Sequence, residues 1–201
     1  MLVINDLKKQ YGDVKAVDGI SFHVSQGELF GFLGPNGAGK TTTIKMLTGL
    51  ARPGGGSATL DGRNLFLKDT ETRRGIGIVQ QHVSLDRDLT VRENLDVHGR
   101  FYSLPARQRA ERIEEALQFV GLAEKRDVQV KNLSGGMRRR LMIGRALMHR
   151  PRMLFLDEPT AGLDPSIRRT VWALIKSAIE RTTTVFLTTH YIEEAEFLCD
   201  R

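Results

Sequence analysis

Three short stretches of this chain carry groups suited to handling phosphate. The first, Gly34-Pro35-Asn36-Gly37-Ala38-Gly39-Lys40-Thr41, has the spacing G-x-x-x-x-G-K-[ST]. Glycines in such a loop let backbone N–H groups converge on phosphate oxygens, and the following helix points its positive end at the same anion. Lys40 adds a point charge for the β- and γ-phosphates, and Thr41, with Thr42 beside it, offers a hydroxyl to Mg²⁺. Alone, this stretch implies a nucleoside triphosphate. The second, Leu133-Ser134-Gly135-Gly136, opens a basic helix. A serine cap, two small residues and an open helix N-terminus form an anion site, although on local features alone an ordinary helix cap accounts for them. The third, Leu156-Asp157-Glu158, ends an apolar run. Asp157 suits a Mg²⁺ contact, and Glu158, one residue farther, can polarise a water for in-line attack on a γ-phosphate.

These groups need elements to position them. Leu2 to Lys9 and Val14 to Val24 read as a hairpin turned at Tyr11-Gly12-Asp13. Leu29 to Leu33 is a short apolar run that feeds the glycine-rich loop, and Thr41 to Leu50 reads as helix until Arg52-Pro53-Gly54-Gly55-Gly56 breaks it. Ser57 to Leu60 and Ile76 to Val79 read as strands. The pattern turns helical from Val91 to Val120, with Ile113, Ala116, Leu117 and Val120 on one face, and Met137, Leu141 and Met148 line the basic helix. Met153 to Leu156 and Val185 to Leu187 are continuously apolar, as strands buried on both faces are. Between them Ile167, Val171, Leu174, Ile175, Ala178 and Ile179 form a helical stripe, and a last helix starts at Ile192. The alternation predicts an α/β domain with a parallel core sheet, and residues 88–150 read as an inserted helical subdomain.

The 201 residues suffice for one domain with a sizeable core, and 40% hydrophobic with 27% charged residues is ordinary for a soluble globular protein. No apolar run approaches the roughly 20 residues that cross a bilayer. The opening Met1-Leu2-Val3-Ile4-Asn5-Asp6 lacks the character of a signal peptide, and Cys199 stands alone, which suits a reducing cytosol. The net charge of +6 gathers at Arg107 to Arg112, Arg138 to Arg140 and Arg150 to Arg152, read here as solvated helix faces.

The order of the three stretches resembles the ATP-binding cassette (ABC) family, specifically the nucleotide-binding subunits of membrane transporters, over essentially the whole chain. The resemblance implies a single ABC ATPase domain over 1–201. Its P-loop core, 1–87 and 151–201, would hold a mixed, mainly parallel sheet with an N-terminal antiparallel β part, and the helical signature subdomain would span 88–150. ATP and Mg²⁺ are the implied ligands. Tyr11 resembles the aromatic residue that stacks on adenine. Gln81 is similar to the glutamine that joins the Mg²⁺ site to the transporter-facing groove, and the neighbouring Gln80 fits that role as well. Ala161-Gly162-Leu163-Asp164 is similar to the loop that crosses the dimer, and His190 to the switch histidine at the γ-phosphate.

The family pairs two cassettes head to tail, so Ser134, Gly135 and Gly136 would serve the nucleotide of a second subunit, here a homodimer. A membrane permease would be the other partner, with the chain peripheral on the cytoplasmic face. The stretches 81–95 and 188–195 are similar to cassettes of multidrug, polysaccharide and other efflux systems, which favours an exporter. Cassette ATPases that act on nucleic acid or ribosomes form the alternative class. Their repair and chromosome types carry coiled-coil or zinc insertions, whereas the span from Lys40 to Ser134 holds neither heptads nor cysteines, and their translation types fuse two cassettes. Two features depart from the family pattern. Met137 stands where the signature LSGGQ has glutamine, and the chain stops at Arg201, before the family's next strand, which predicts an exposed sheet edge.

Overall fold

The computed structural model describes residues 1–67, 69–180 and 183–201. Its first sheet is antiparallel. Strands β1 (Leu2–Tyr11) and β2 (Val14–Val24) form the expected hairpin, turned at Gly12 with φ +54°. β4 (Gly55–Leu60) and β5 (Arg63–Asn64) complete the order β2-β1-β4-β5. Along β1 the alternation of buried Leu2 and Ile4 with exposed Val3 and Asn5 slips by one residue before buried Leu7. A bulge with Asp6 at φ +48° absorbs the slip and keeps Leu7 on the core face.

The second sheet is parallel throughout, in the order β3-β8-β7-β6, from β3 (Leu29–Leu33), β6 (Ile76–Val79), β7 (Met153–Asp157) and β8 (Thr184–Thr189). β7 and β8 are buried at every position, which is why both read as continuous apolar runs. Phe155 and Phe186 face the antiparallel sheet, where they join Phe22, Phe30 and Phe32 with ring centroids 5.0–5.8 Å apart. Leu154, Leu156, Val185 and Leu187 face the helices. Beyond β3 the Gly31 N–H donates to the Arg201 carbonyl (2.7 Å) and the Asp200 N–H to that of Leu29 (2.9 Å), so residues 200–201 lie along part of the edge expected to be bare.

Helix α1 (Lys40–Leu47) follows the glycine-rich loop and stops short of Leu50, because Gly49 takes φ +76°. A short α2 (Thr70–Arg74), not foreseen, is capped by the Asp69 carboxylate. The helical stretch predicted over 91–120 is two helices, α3 (Val91–Phe101) and α4 (Ala106–Phe119). Ser103 at φ +56° and Pro105 break it, and proline removes the N–H a continuous helix would use. Thr90 and Glu93 form a capping box on α3. α5 (Gly135–Leu147), α6 (Pro165–Glu180) and α7 (Ile192–Leu198) complete the helices. Among the described residues no helix is long and apolar enough to cross a membrane.

Where α3 and α5 end near the start of β6, Tyr102 stacks on His149 at 3.7 Å and His98 packs beside both. The His149 Nε2–H donates to the Ile76 carbonyl (2.9 Å). Burial, aided by the Arg145 and His149 charges, pushes the His98 pKa down to about 3; burial pushes that of His149 down to about 4 against the Ile76 hydrogen bond.

Phe186→Ala empties the centre of the aromatic cluster and should lower urea-unfolding stability by about 3–5 kcal/mol. Both histidines have folded pKa values below the ordinary 6.5, so as pH falls below 6.5 the unfolded chain takes up their protons first. Their contribution to stability is therefore intact above pH 6.5 and is lost on acidification, by up to about 1.4 kcal/mol per pH unit per histidine. Unfolding midpoints between pH 7 and 4.5 should fall, and His98→Phe should flatten that slope.

Candidate functional site

Parallel strands share a direction, so the segments that leave β3, β6, β7 and β8 emerge at one edge of the sheet. Those four segments carry the glycine-rich loop, Gln80 and Gln81, Glu158, and His190. Open α/β sheets place their ligand sites at such an edge.

The loop is tied to β8 by the Gly34 N–H, which donates to the Thr189 carbonyl (3.3 Å). Gly37 and Gly39 take φ +85° and +84°. A Cβ on Gly39 would stand 2.2 Å from the Ala16 carbonyl oxygen in β2, so this position admits glycine alone. α1 begins directly behind it with no side-chain cap, which leaves its first N–H groups directed at the loop. Pro35, Asn36 and Ala38 are exposed along the loop, and Thr41 and Thr42 are half-buried in the first turn of α1. Lys40 is 5% exposed; its ammonium donates to the carbonyls of Gly34 (2.7 Å) and Pro35 (2.9 Å) and stands 3.3 Å from Glu158 Oε1.

Asp157 Oδ1 accepts from the hydroxyls of Thr41 (3.2 Å) and Thr188 (2.7 Å). Glu158 follows at φ +46°, a left-handed conformation that costs a non-glycine residue roughly 1–2 kcal/mol. Its N–H, donated to both the carbonyl (3.1 Å) and the hydroxyl (3.2 Å) of Thr188, holds it there. The strained turn sends its carboxylate back over the sheet edge. Glu158 Oε2 accepts from Gln81 Nε2 (3.5 Å) and lies 3.2 Å from His190 Nδ1, at ion-pair distance but off the line of a hydrogen bond. Of the two glutamines, Gln81 is therefore the one whose side chain meets Glu158.

Lys40, Thr41, Gln81, Asp157, Glu158 and His190 thus form one cluster. The other predicted residues stand apart from it. Ser134 Oγ accepts from the Met137 N–H (3.2 Å) as the cap of α5, and Gly136 packs so tightly on α6 that a Cβ would lie 2.5 Å from Ile167 Cγ2. Ser134, Gly135 and Asp164 are exposed. Tyr11 is 50% exposed at the hairpin tip with the Lys9 ammonium 4.8 Å from its ring centre.

Several residues near the cluster escaped sequence reasoning. Thr188 holds both acidic residues, yet in the sequence it is one more β-branched residue at a strand end. Glu194, fully buried in α7, accepts from Thr160 Oγ1 (2.6 Å) and Trp172 Nε1 (2.8 Å), which ties the turn after Glu158 to the helix after His190. Arg139 corrects the solvated-face reading of Arg138 to Arg140. It is 5% exposed and donates to the carbonyls of Gln80 (2.7 Å) and Gln81 (2.8 Å).

The donors fit the expected ligands. The Thr41 hydroxyl, the Asp157 carboxylate and the Gln81 amide are hard oxygen donors suited to a Mg²⁺ ion shared with phosphates. Among the described residues no group of three or more His, Cys, Asp or Glu forms a metal cage of its own.

Comparison with known proteins gives the family. The profile of the family described as ABC transporter matches residues 17–161, well over half of the chain. The chain belongs to the ABC transporter family. It is 49% identical over 195 residues to the Nod factor export ATP-binding protein I of Paraburkholderia xenovorans, covering 97% of this chain and 64% of that protein. This ABC domain therefore spans just under two thirds of the length of such relatives. Its fold is similar to that of cbiO1 from Clostridium perfringens, part of the ABC transporter complex cbiONQ (TM-score 0.89, 29% identity, 99% of this chain and 82% of that one). It is similar too to the dimeric post-hydrolysis state of the ATP-binding cassette MJ0796 bound to ADP and Pi (TM-score 0.86, 28% identity, 98% and 91%).

Gly39→Ala tests the loop. The new Cβ cannot coexist with Ala16 in place, so binding of a fluorescent ATP analogue should weaken at least about tenfold and stability should fall by about 1–3 kcal/mol. Unchanged affinity would show that the loop does not depend on this close approach.

Proposed function

We propose that this ABC domain binds and hydrolyses ATP and thereby powers a membrane exporter. The observation that carries the reading is the convergence of Lys40, Gln81 and His190 on the Glu158 carboxylate, beside Asp157 and the glycine-rich loop. The loop N–H groups and Lys40 bind the phosphates, and Tyr11 at the tip of the adjoining hairpin receives the adenine. Thr41, Asp157 and Gln81 would hold Mg²⁺, which would supply neutralisation of phosphate charge when bound. Glu158 takes a proton from the attacking water, and His190, beside Glu158, reaches the γ-phosphate.

Ser134, Gly135 and Asp164 are exposed, and together with Gly136, which is buried against α6, they stand apart from this cluster. That placement supports a role toward the nucleotide of a second copy docked head to tail. ATP then favours the closed pair, hydrolysis releases it, and the difference drives a permease on the cytoplasmic face of the membrane. Export is favoured by the Nod factor export relatives. The alternative, action on nucleic acid, draws no support from the basic clusters. Arg107, Arg109, Arg112, Arg150 and Arg152 are each paired with a carboxylate, and Arg139 is buried.

Steady-state ATP hydrolysis with Mg²⁺ tests the proposal. Glu158→Gln should lower kcat by about 10²–10⁴-fold, and the same variant should dimerise with ATP in light scattering. The wild-type specific rate should climb with protein concentration. A rate that survives the substitution and ignores concentration would remove both the base assignment and the shared site.

A further inference from the structure

Past Val79 the chain leaves the parallel ladder, and the carbonyls of Gln80 and Gln81 lose their strand partners. Helix α5 replaces them. The Arg139 guanidinium spans the two consecutive carbonyls with two nitrogens, at 2.7 and 2.8 Å. Six residues along the same helix, Arg145 does the same at Ser84, donating to its carbonyl and hydroxyl at 2.6 Å each. Two arginine forks on one helix therefore hold residues 80–84, which form no helix or strand of their own.

The Arg139 fork is costly to bury. Among the described residues no carboxylate lies within ion-pair distance of it, and its longer-range charge partners are Glu194 and Asp157. A surface arginine would serve solubility at no such cost. Here one buried fork fixes the backbone of the residue whose side chain meets Glu158. The planar guanidinium meets the two carbonyls with two separate nitrogens held in one fixed fork, whereas a lysine ammonium would have to reach both from a single nitrogen on a flexible stem.

We propose that Arg139 is a positioning residue for hydrolysis, which locks Gln81 to α5 so that the Gln81–Glu158 contact follows any movement of the helix bearing Ser134, Gly135 and Gly136. The proposal rests on the ATPase reading above, and its test separates the two. Steady-state rates are measured for the wild type, Arg139→Met, Gln81→Ala and the double variant. Amide hydrogen exchange over residues 80–84 and the thermal midpoint are followed in parallel.

Arg139→Met should lower kcat by about 10–100-fold through misplacement of Gln81, with KM for ATP within about twofold. The double variant should lose no more than Gln81→Ala alone, because both changes remove one arrangement. Exchange at 80–84 should quicken by about tenfold or more while the rest of the chain keeps its protection. Arg139→Lys, which keeps the charge and not the fork, should remain impaired. Multiplicative losses in the double variant, full recovery in Arg139→Lys, or unchanged exchange at 80–84 would each overturn the proposal. If the wild type hydrolyses no ATP, the ATPase reading falls and the exchange result alone decides this one. Should Arg139→Met fail to fold, Arg139→Gln, which retains an amide donor, takes its place in every measurement.

Discussion

The parallel register of β3, β8, β7 and β6 is the constraint on which the site depends. Residues from four distant parts of the chain meet only because their strands run the same way and end at the same edge. Had one strand been reversed, its loop would have left the opposite side of the sheet. The register is fixed by burial on both faces, with aromatic rings toward the antiparallel sheet and aliphatic chains toward the helices. A one-residue slip would exchange the two sets and misfit both cores.

At that edge the polar groups are held by one another. Asp157 and Glu158 are almost wholly buried, where an uncompensated charge would be costly. Thr188 offers its hydroxyl to Asp157 and accepts the Glu158 N–H, and Lys40 stands against the Glu158 carboxylate. This network also maintains the left-handed turn at Glu158, an unfavourable backbone state that persists only when its surroundings overdetermine it. The strain and the site have one cause: the turn lifts the second carboxylate clear of the strand, toward Gln81 and His190.

Arginine serves two purposes in this molecule. On α4 and just past α5 it pairs with glutamate at partly exposed positions, where each pair contributes about 0–1 kcal/mol. On the inner face of α5 it holds an irregular segment against the core. The helix that opens with Ser134-Gly135-Gly136 is thereby joined through Gln81 to the acidic centre.

The sequence by itself determined the local chemistry. The glycine-rich loop, Lys40, Thr41 and the Asp157-Glu158 pair were legible because phosphate handling demands particular residue types at fixed short spacings. The buried strands were legible because they are continuously apolar, and the hairpin because Gly12 permits its turn. Family resemblance pointed to Gln81 and His190, with the adjacent Gln80 as the alternative to Gln81. Only the tertiary structure chose between the glutamines, because the choice depends on which side chain faces Glu158 across the gap between two strands. It likewise split the long helix at Pro105, buried Arg139 within a run of three arginines, and gave Glu194 and Thr188 their partners. Burial and cross-strand contact are relations between segments far apart in the chain, and no spacing within one segment encodes them.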